Sequence, residues 1–190
     1  MKYKWLLFCP QLPATPSSPR VTIWRKMRAA GAAGLDNGLW ILPDSPSAQN
    51  IIRDMQAYVA NQGGSTKSFL AETLDEASEI EILERFRQDR AEEYAEIQEQ
   101  CHDFLAEIDK EIGRQNFSFA EFEENEQDLV KLEAWFEKVK GRDFLGGLQA
   151  DEAVELLEKC RQALQKFATE VFNHEKPDRT GDRPGQNSIN

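Results

Sequence analysis

Arginine is the residue type in this chain whose placement could do chemistry. Arg20 and Trp24 stand four apart, a separation that puts them on one face of a helix, with Arg25 and Arg28 close by. Arg87 and Arg90 lie beside an apolar stripe, and Arg142 precedes Asp143 in a loop after another helical segment. A guanidinium presents forked donors that suit phosphates and tetrahedral oxyanions. Arg20, Arg25, Arg28, Arg87, Arg90 and Arg142 are therefore the candidate oxyanion- or phosphate-binding residues, with Trp24 as a wall of the site. The competing reading is structural: each arginine lays its stem on apolar surface and pairs with one of the abundant glutamates.

Other chemistries find little support. The chain has two histidines, His102 and His174, and three cysteines, Cys9, Cys101 and Cys160. The cysteines are far apart and odd in number, with no CxxC pair, which fits a reducing cytosol and no disulfide framework. Cys101 and His102 are adjacent on a helix and point different ways, so no closed zinc spacing exists. The cysteines read as buried apolar residues and the histidines as surface ones. There is no GxSxG, no GxxxxGK[ST] and no GxGxxG. The carboxylates fall at helical spacing with lysines and arginines, as on a solvated helix face. We expect no catalytic residues, no metal, no cofactor and no enzymatic activity.

The net charge of −11 is unevenly spread. Residues 1–70 carry eight Lys/Arg against three Asp/Glu, a balance of +5, and residues 71–176 carry thirteen against twenty-nine, a balance of −16. A basic front permits anion or nucleic-acid binding by that part alone. The opening MKYKWLLFCP has lysines before an apolar run, but the run is short and Pro10 ends it, so a buried strand is expected rather than an export signal. No stretch approaches the ~20 apolar residues of a membrane span. A cytoplasmic protein without membrane contact is the expectation.

The elements that must position the arginines begin with a strand over residues 4–9 and a stiff Pro-rich loop. Pro19 opens a basic helix that fades at Gly31 or Gly34. Asp36-Asn37-Gly38 tolerates positive φ and makes a hairpin turn into the apolar strand at residues 39–42. Ser45-Pro46 caps a second helix with Ala48, Ile51, Ile52, Met55, Tyr58 and Val59 on its apolar face. Gly63-Gly64 stops it before a last strand at residues 66–70. The order β-α-β-β-α-β is the ferredoxin-like pattern, with two helices on one sheet face and the other face needing cover from the acidic half or from a second copy. Thr73 to Glu76 reads as a capping box for a helix of about 50 Å, whose stripe of Ile80, Leu83, Phe86, Tyr94, Ile97, Cys101, Phe104, Ile108 and Ile112 has a gap at Arg90. Ser118 and Glu121 form a second box, before a helix facing inward with Phe122, Leu129, Leu132, Phe136 and Val139. The last helix carries Ala153, Leu156, Cys160, Leu164, Phe167 and Val171. An α+β protein follows: a ferredoxin-like basic front over 1–72, an acidic three-helix region over 73–175 that packs as a bundle, and a disordered tail over 176–190.

Four collinear stretches then carry a resemblance: WLLFCPQLP at 5–13, RVTIWRKMRAAGAAGLDNGLWILPD at 20–44, FRQDRAEEYAE at 86–96 and FAEFEENEQDLVKLEAWFEKVKGRDFLG at 119–146. Together they resemble the N-terminal domain of the ChrB family of chromate-resistance regulators. The resemblance implies chromate sensing or resistance and, in longer members, control of a chromate-efflux operon. This chain ends near where the second domain of such members would start. The front is also similar to the ferredoxin-like core of PaaX-type repressors and of small CRISPR-associated metal nucleases. In those nucleases an Asp ends the first strand and holds the metal; Cys9-Pro10-Gln11 stands here instead, which argues against nuclease activity. The partners implied are chromate, with sulfate competing for its shape and charge, operator DNA and a second copy in a homodimer. A different class of function is a non-enzymatic protein-interaction or dimerisation module. Chromate reduction by a thiol is disfavoured because the cysteines lie in apolar stripes.

Overall fold

The computed structural model describes residues 3–174. The chain divides into two compact units, one drawn from Met1–Ala95 and Glu137–Ala150, the other from Glu96–Phe136 and the chain from Asp151 onward. Residues 176–190, expected as a disordered tail, lie outside the described residues. No helix is long and apolar enough to cross a membrane among the described residues.

The first unit opens with β1 (Trp5–Gln11), α1 (Ser18–Ala29), β2 (Ala33–Gly34), β3 (Trp40–Pro43), α2 (Pro46–Asn61) and β4 (Ser65–Ala71). The sheet order is β2-β3-β1-β4 and every neighbouring pair is antiparallel. That is the ferredoxin-like topology within an α+β fold, as the element order implied. Proline did not stop β1 at residue 9. Pairing with β3 covers only Trp5 to Phe8, whereas pairing with β4 continues through Pro10 to Gln11. Pro10 therefore sits where β1 has lost one neighbour, the position in a sheet that tolerates a missing N–H.

Strand alternation divides the core between the two sheet faces. Leu6 and Phe8 of β1 and Trp40 and Leu42 of β3 bury against Ile23 and Met27 of α1 and Ala48, Ile52, Met55 and Val59 of α2. Trp5, Ala33 and Ile41 point the other way and pack on Phe86, with Leu7, Leu35, Ile82 and Leu83 around them. The indole of Trp5 stacks on the Phe86 ring at 5.6 Å. The cover that the second face required thus comes from the first part of α3 (Glu76–Gly113). Glu79 fastens it there, accepting from the Tyr3 backbone N–H at 3.0 Å and the Trp5 indole N–H at 3.1 Å.

Local signals set most boundaries. Ser45 caps α2 by accepting from the Ala48 N–H at 3.1 Å, and Ser118 caps α4 (Phe119–Lys140) by accepting from Glu121 at 3.3 Å. The expected box at Thr73 is replaced by Asp75, which accepts from the Ser78 N–H at 2.8 Å and starts α3 two residues later. Asn37 and Gly38 do take positive φ, within a short 3-10 turn rather than a two-residue hairpin.

In the second unit, α3, α4 and α5 (Leu148–His174) contribute their inner stripes. Ile97, Cys101, Phe104 and Ile108, then Leu129, Leu132 and Phe136, then Ala153, Leu157, Cys160, Leu164, Phe167 and Val171 are buried. Leu157 rather than Leu156 fills the inward position on α5. Phe117 packs on Phe167 with ring centroids 5.9 Å apart, and Arg161 of α5 reaches Glu133 of α4 at 2.6 Å. The stripes pack as a helical bundle.

Counted by unit, charge looks different from the sequence halves. The first unit holds fourteen basic and fourteen acidic residues and is neutral; the second holds nine and twenty and carries the whole −11. From residue 71 onward that unit carries eleven acidic residues, seven of them on α3, against six basic ones, and this −5 cancels the +5 of the front.

Candidate functional site: two sets of arginines

The candidate residues separate into an exposed set and an enclosed set, both within the first unit. Helix α1 buries Pro19, Ile23 and Met27, which leaves Arg20, Val21, Trp24 and Arg25 facing outward. Among the described residues Arg20 reaches no carboxylate; its guanidinium donates to the carbonyl oxygens of Pro13 and Ala14 at 3.2 and 2.7 Å, pinning the proline-rich loop. Trp24 is 56% exposed, and Arg25 is exposed beside it. Lys26 holds its ammonium 5.6 Å above the Tyr58 ring.

The enclosed set is built from the last turn of α1, the middle of α3 and the loop after α4. Arg28 donates to Asp89 at 2.7 Å, and Arg85 lies 3.7 Å from the other Asp89 oxygen. One turn on, Arg142 forks onto Glu93, with Nη2 at 2.6 Å from Oε1 and Nε at 3.3 Å from Oε2. Arg90 approaches the same carboxylate, its Nη1 2.8 Å from Oε2. Two arginines on one glutamate leave a local excess of positive charge. The Tyr94 hydroxyl donates to Asp143 at 3.1 Å, while the other oxygen of Asp143 accepts from the N–H groups of Leu145 and Gly146. A glycine makes room for this loop. Gly31 has φ +78°, and a Cβ there would sit 2.8 Å from both Arg142 Cβ and the Arg142 carbonyl oxygen.

Arg90 is the unusual member. It fills the gap in the α3 stripe, between Phe86 and Tyr94, and is only 5% exposed. Its Nε and Nη1 make no hydrogen bond, so the 2.8 Å approach to Glu93 is a charge contact off the N–H axis. Burial pulls its pKa below the usual guanidinium value, Arg142 and Arg28 adding to that, while Glu93 and Asp89 oppose it. Burial, with Asp143 alongside, raises the Tyr94 phenol above its ordinary value. Arg90 and Arg87 line a cleft of about 420 Å³ with Tyr94, Asp143, Glu84 and the Gly146-Gly147 turn. Arg87 is exposed and meets Glu84 at 3.4 Å.

The structure therefore brings Arg28, Arg90 and Arg142 into one network, sets Arg87 at its mouth, and leaves Arg20, Trp24 and Arg25 on a separate surface. Sequence reasoning missed Asp89, Glu93, Asp143 and Tyr94 as members. The one available signal was the charged residue standing in an apolar stripe.

Sheet and cluster define a class: an α+β protein with a ferredoxin-like front, long helices following it in the chain, and an arginine–carboxylate network at the α1 and α3 contact. Residues 20–178 match the family described as Protein ChrB, N-terminal, and the chain belongs to that family. It is also similar to Protein ChrB of Cupriavidus metallidurans, with 32% identity over 92 residues, which is 48% of this chain and 28% of that relative. No solved structure matches.

Proposed function

We propose that this chain is the regulatory N-terminal part of a chromate-resistance protein, a non-catalytic domain that responds to chromate and acts on operator DNA. Membership of the ChrB family supports the general role. The observation that carries the response to an oxyanion is Arg90, an enclosed guanidinium with two nitrogens lacking hydrogen bonds, in a cleft shared with Arg87. A tetrahedral dianion accepts from several donors at once, and forked donors from two arginines suit it. Of the nearby carboxylates, Glu93 at 2.8 Å is shared with Arg142, which leaves positive charge over. Asp143 is engaged by three donors of its own, and Glu84 holds Arg87 through one long, exposed contact. The DNA-facing role falls to Trp24 and Arg25, the part of the basic helix with free surface.

Calorimetric titration with chromate and then sulfate at millimolar concentration tests the first role. Both anions bind in the wild type and lose at least tenfold in affinity in R90M. No heat from either anion removes direct sensing. Mobility shifts on operator DNA across a salt series test the second: retention falls steeply with salt because counterion release sets the slope.

A second reading, a protein-interaction or homodimerisation module, draws on Phe69 and Leu70. They are 55% and 57% exposed on the edge strand β4. An open edge with apolar side chains invites pairing with another chain. Sedimentation velocity decides this reading, which requires a dimer at micromolar concentration that L70K dissociates.

A further inference from the structure

The second unit contains a pair of cysteines that neither the arginine network nor the family role uses. Cys101 on α3 and Cys160 on α5 are both fully enclosed. They stand 59 residues apart in sequence, yet the Cys160 thiol donates to the Cys101 carbonyl oxygen at 3.5 Å, which places the two side chains side by side. Their neighbours along each helix, Ile97 and Phe104 on one side and Leu157 and Leu164 on the other, are apolar and buried. The third cysteine, Cys9, is half-buried in β1.

We propose that Cys101 and Cys160 are a dithiol that hydrogen peroxide converts to an intramolecular disulfide, tying α3 to α5 within the second unit. Apolar packing alone needs no second sulfur at the same spot. The Cys160 thiol directs its proton to the Cys101 carbonyl oxygen, and its nearness to the Cys101 sulfur lowers the Cys101 pKa against the opposing effect of burial. The same contact, with burial, raises Cys160 far above the ordinary thiol value. Cys101 is therefore the attacking sulfur and Cys160 the resolving one.

In the first step the Cys101 thiolate attacks one peroxide oxygen. An S–O bond forms, the O–O bond breaks, and hydroxide leaves to become water. The Cys160 sulfur then attacks the sulfenic sulfur, gives up its proton, and expels the S–O oxygen as a second water. Two thiols and one peroxide yield one disulfide and two waters, the sulfurs losing two electrons in total. The bond closes a loop through all of α4, so oxidation stiffens the whole bundle and a thiol reductant releases it.

The test is peroxide treatment of the full chain, followed by alkylation in denaturant, intact mass and peptide mapping. The expected product has lost about 2 Da, takes no alkyl group at either cysteine and gives a cross-linked Cys101–Cys160 peptide pair. Dithiothreitol reverses it. The oxidised chain melts about 5 °C higher than the reduced one. C9S still forms the product, whereas C101S and C160S do not. Where the last two fail to fold, the wild-type peptide map decides alone. The proposal is overturned if peroxide adds only oxygen atoms to single cysteines, or if Cys101 and Cys160 both remain alkylatable once Cys9 is oxidised.

Discussion

Arg25 and Arg90 are the same residue type, on helices of the same unit, and they live in opposite environments. Arg25 stands on the outer face of α1 beside an exposed tryptophan, while Arg90 is walled in between two aromatic residues of α3. The contrast shows that charge in the sequence is a poor guide to charge at the surface. Of the arginines near the front, Arg28 is neutralised by Asp89, and Arg90 and Arg142 share Glu93. The unit as a whole sums to zero. On the function proposed above, the regulatory surface is a small area of α1 and the sensing element is the site where guanidinium donors are enclosed and incompletely satisfied.

Removing the carboxylate that the enclosed arginines share should have the largest effect. E93Q removes the carboxylate that Arg90 and Arg142 share in a largely enclosed site, at a cost of about 3–5 kcal/mol, read as a lower urea midpoint with an unchanged slope. A loss below about 1 kcal/mol would show that water reaches the cluster and that the exposed and enclosed arginines differ little in solvation.

G31A attacks the same cluster through the backbone. The positive φ and the 2.8 Å approach of Arg142 predict a loss of about 2 kcal/mol by thermal or urea unfolding. Next in size is R28K, which keeps the charge but not the planar fork; about 1 kcal/mol is expected at the Asp89 contact. Smallest in stability are R25A and W24A, both within about 0.5 kcal/mol of wild type because each side chain is largely solvated. R25A should nonetheless lower the salt slope of DNA binding by about one. If R25A and R28K changed stability equally, the division into exposed and enclosed arginines would fail.

Much of the fold was legible because its signals are local. Ser45 and Ser118 cap helices by reaching three residues ahead, and Pro19, Gly31 and Gly63 punctuate wherever they stand. The strand and helix order implied the ferredoxin-like sheet. Two details escaped for a common reason. Whether Asp75 or Thr73 caps α3 depends on Thr73 being engaged with Glu79, which draws it out of the capping role. Leu156 and Leu157 differ by 100° around α5, and only the packed neighbours decide which of them is inside.

The candidate site was legible in part. Seven residues were named for their chemistry, and the gap in the stripe at Arg90 was visible, yet none of the carboxylates that hold them was. Helical periodicity and caps operate within a turn or two, so the amino-acid order alone determined the helices, the strands and the faces they bury. The pairings of Arg28 with Asp89 and of Arg142 with Glu93 span 61 and 49 residues. A charge pair leaves no periodic trace in sequence, and each acid had several candidate partners. Those choices, and with them which arginines face solvent, were made only when α3 closed over the sheet.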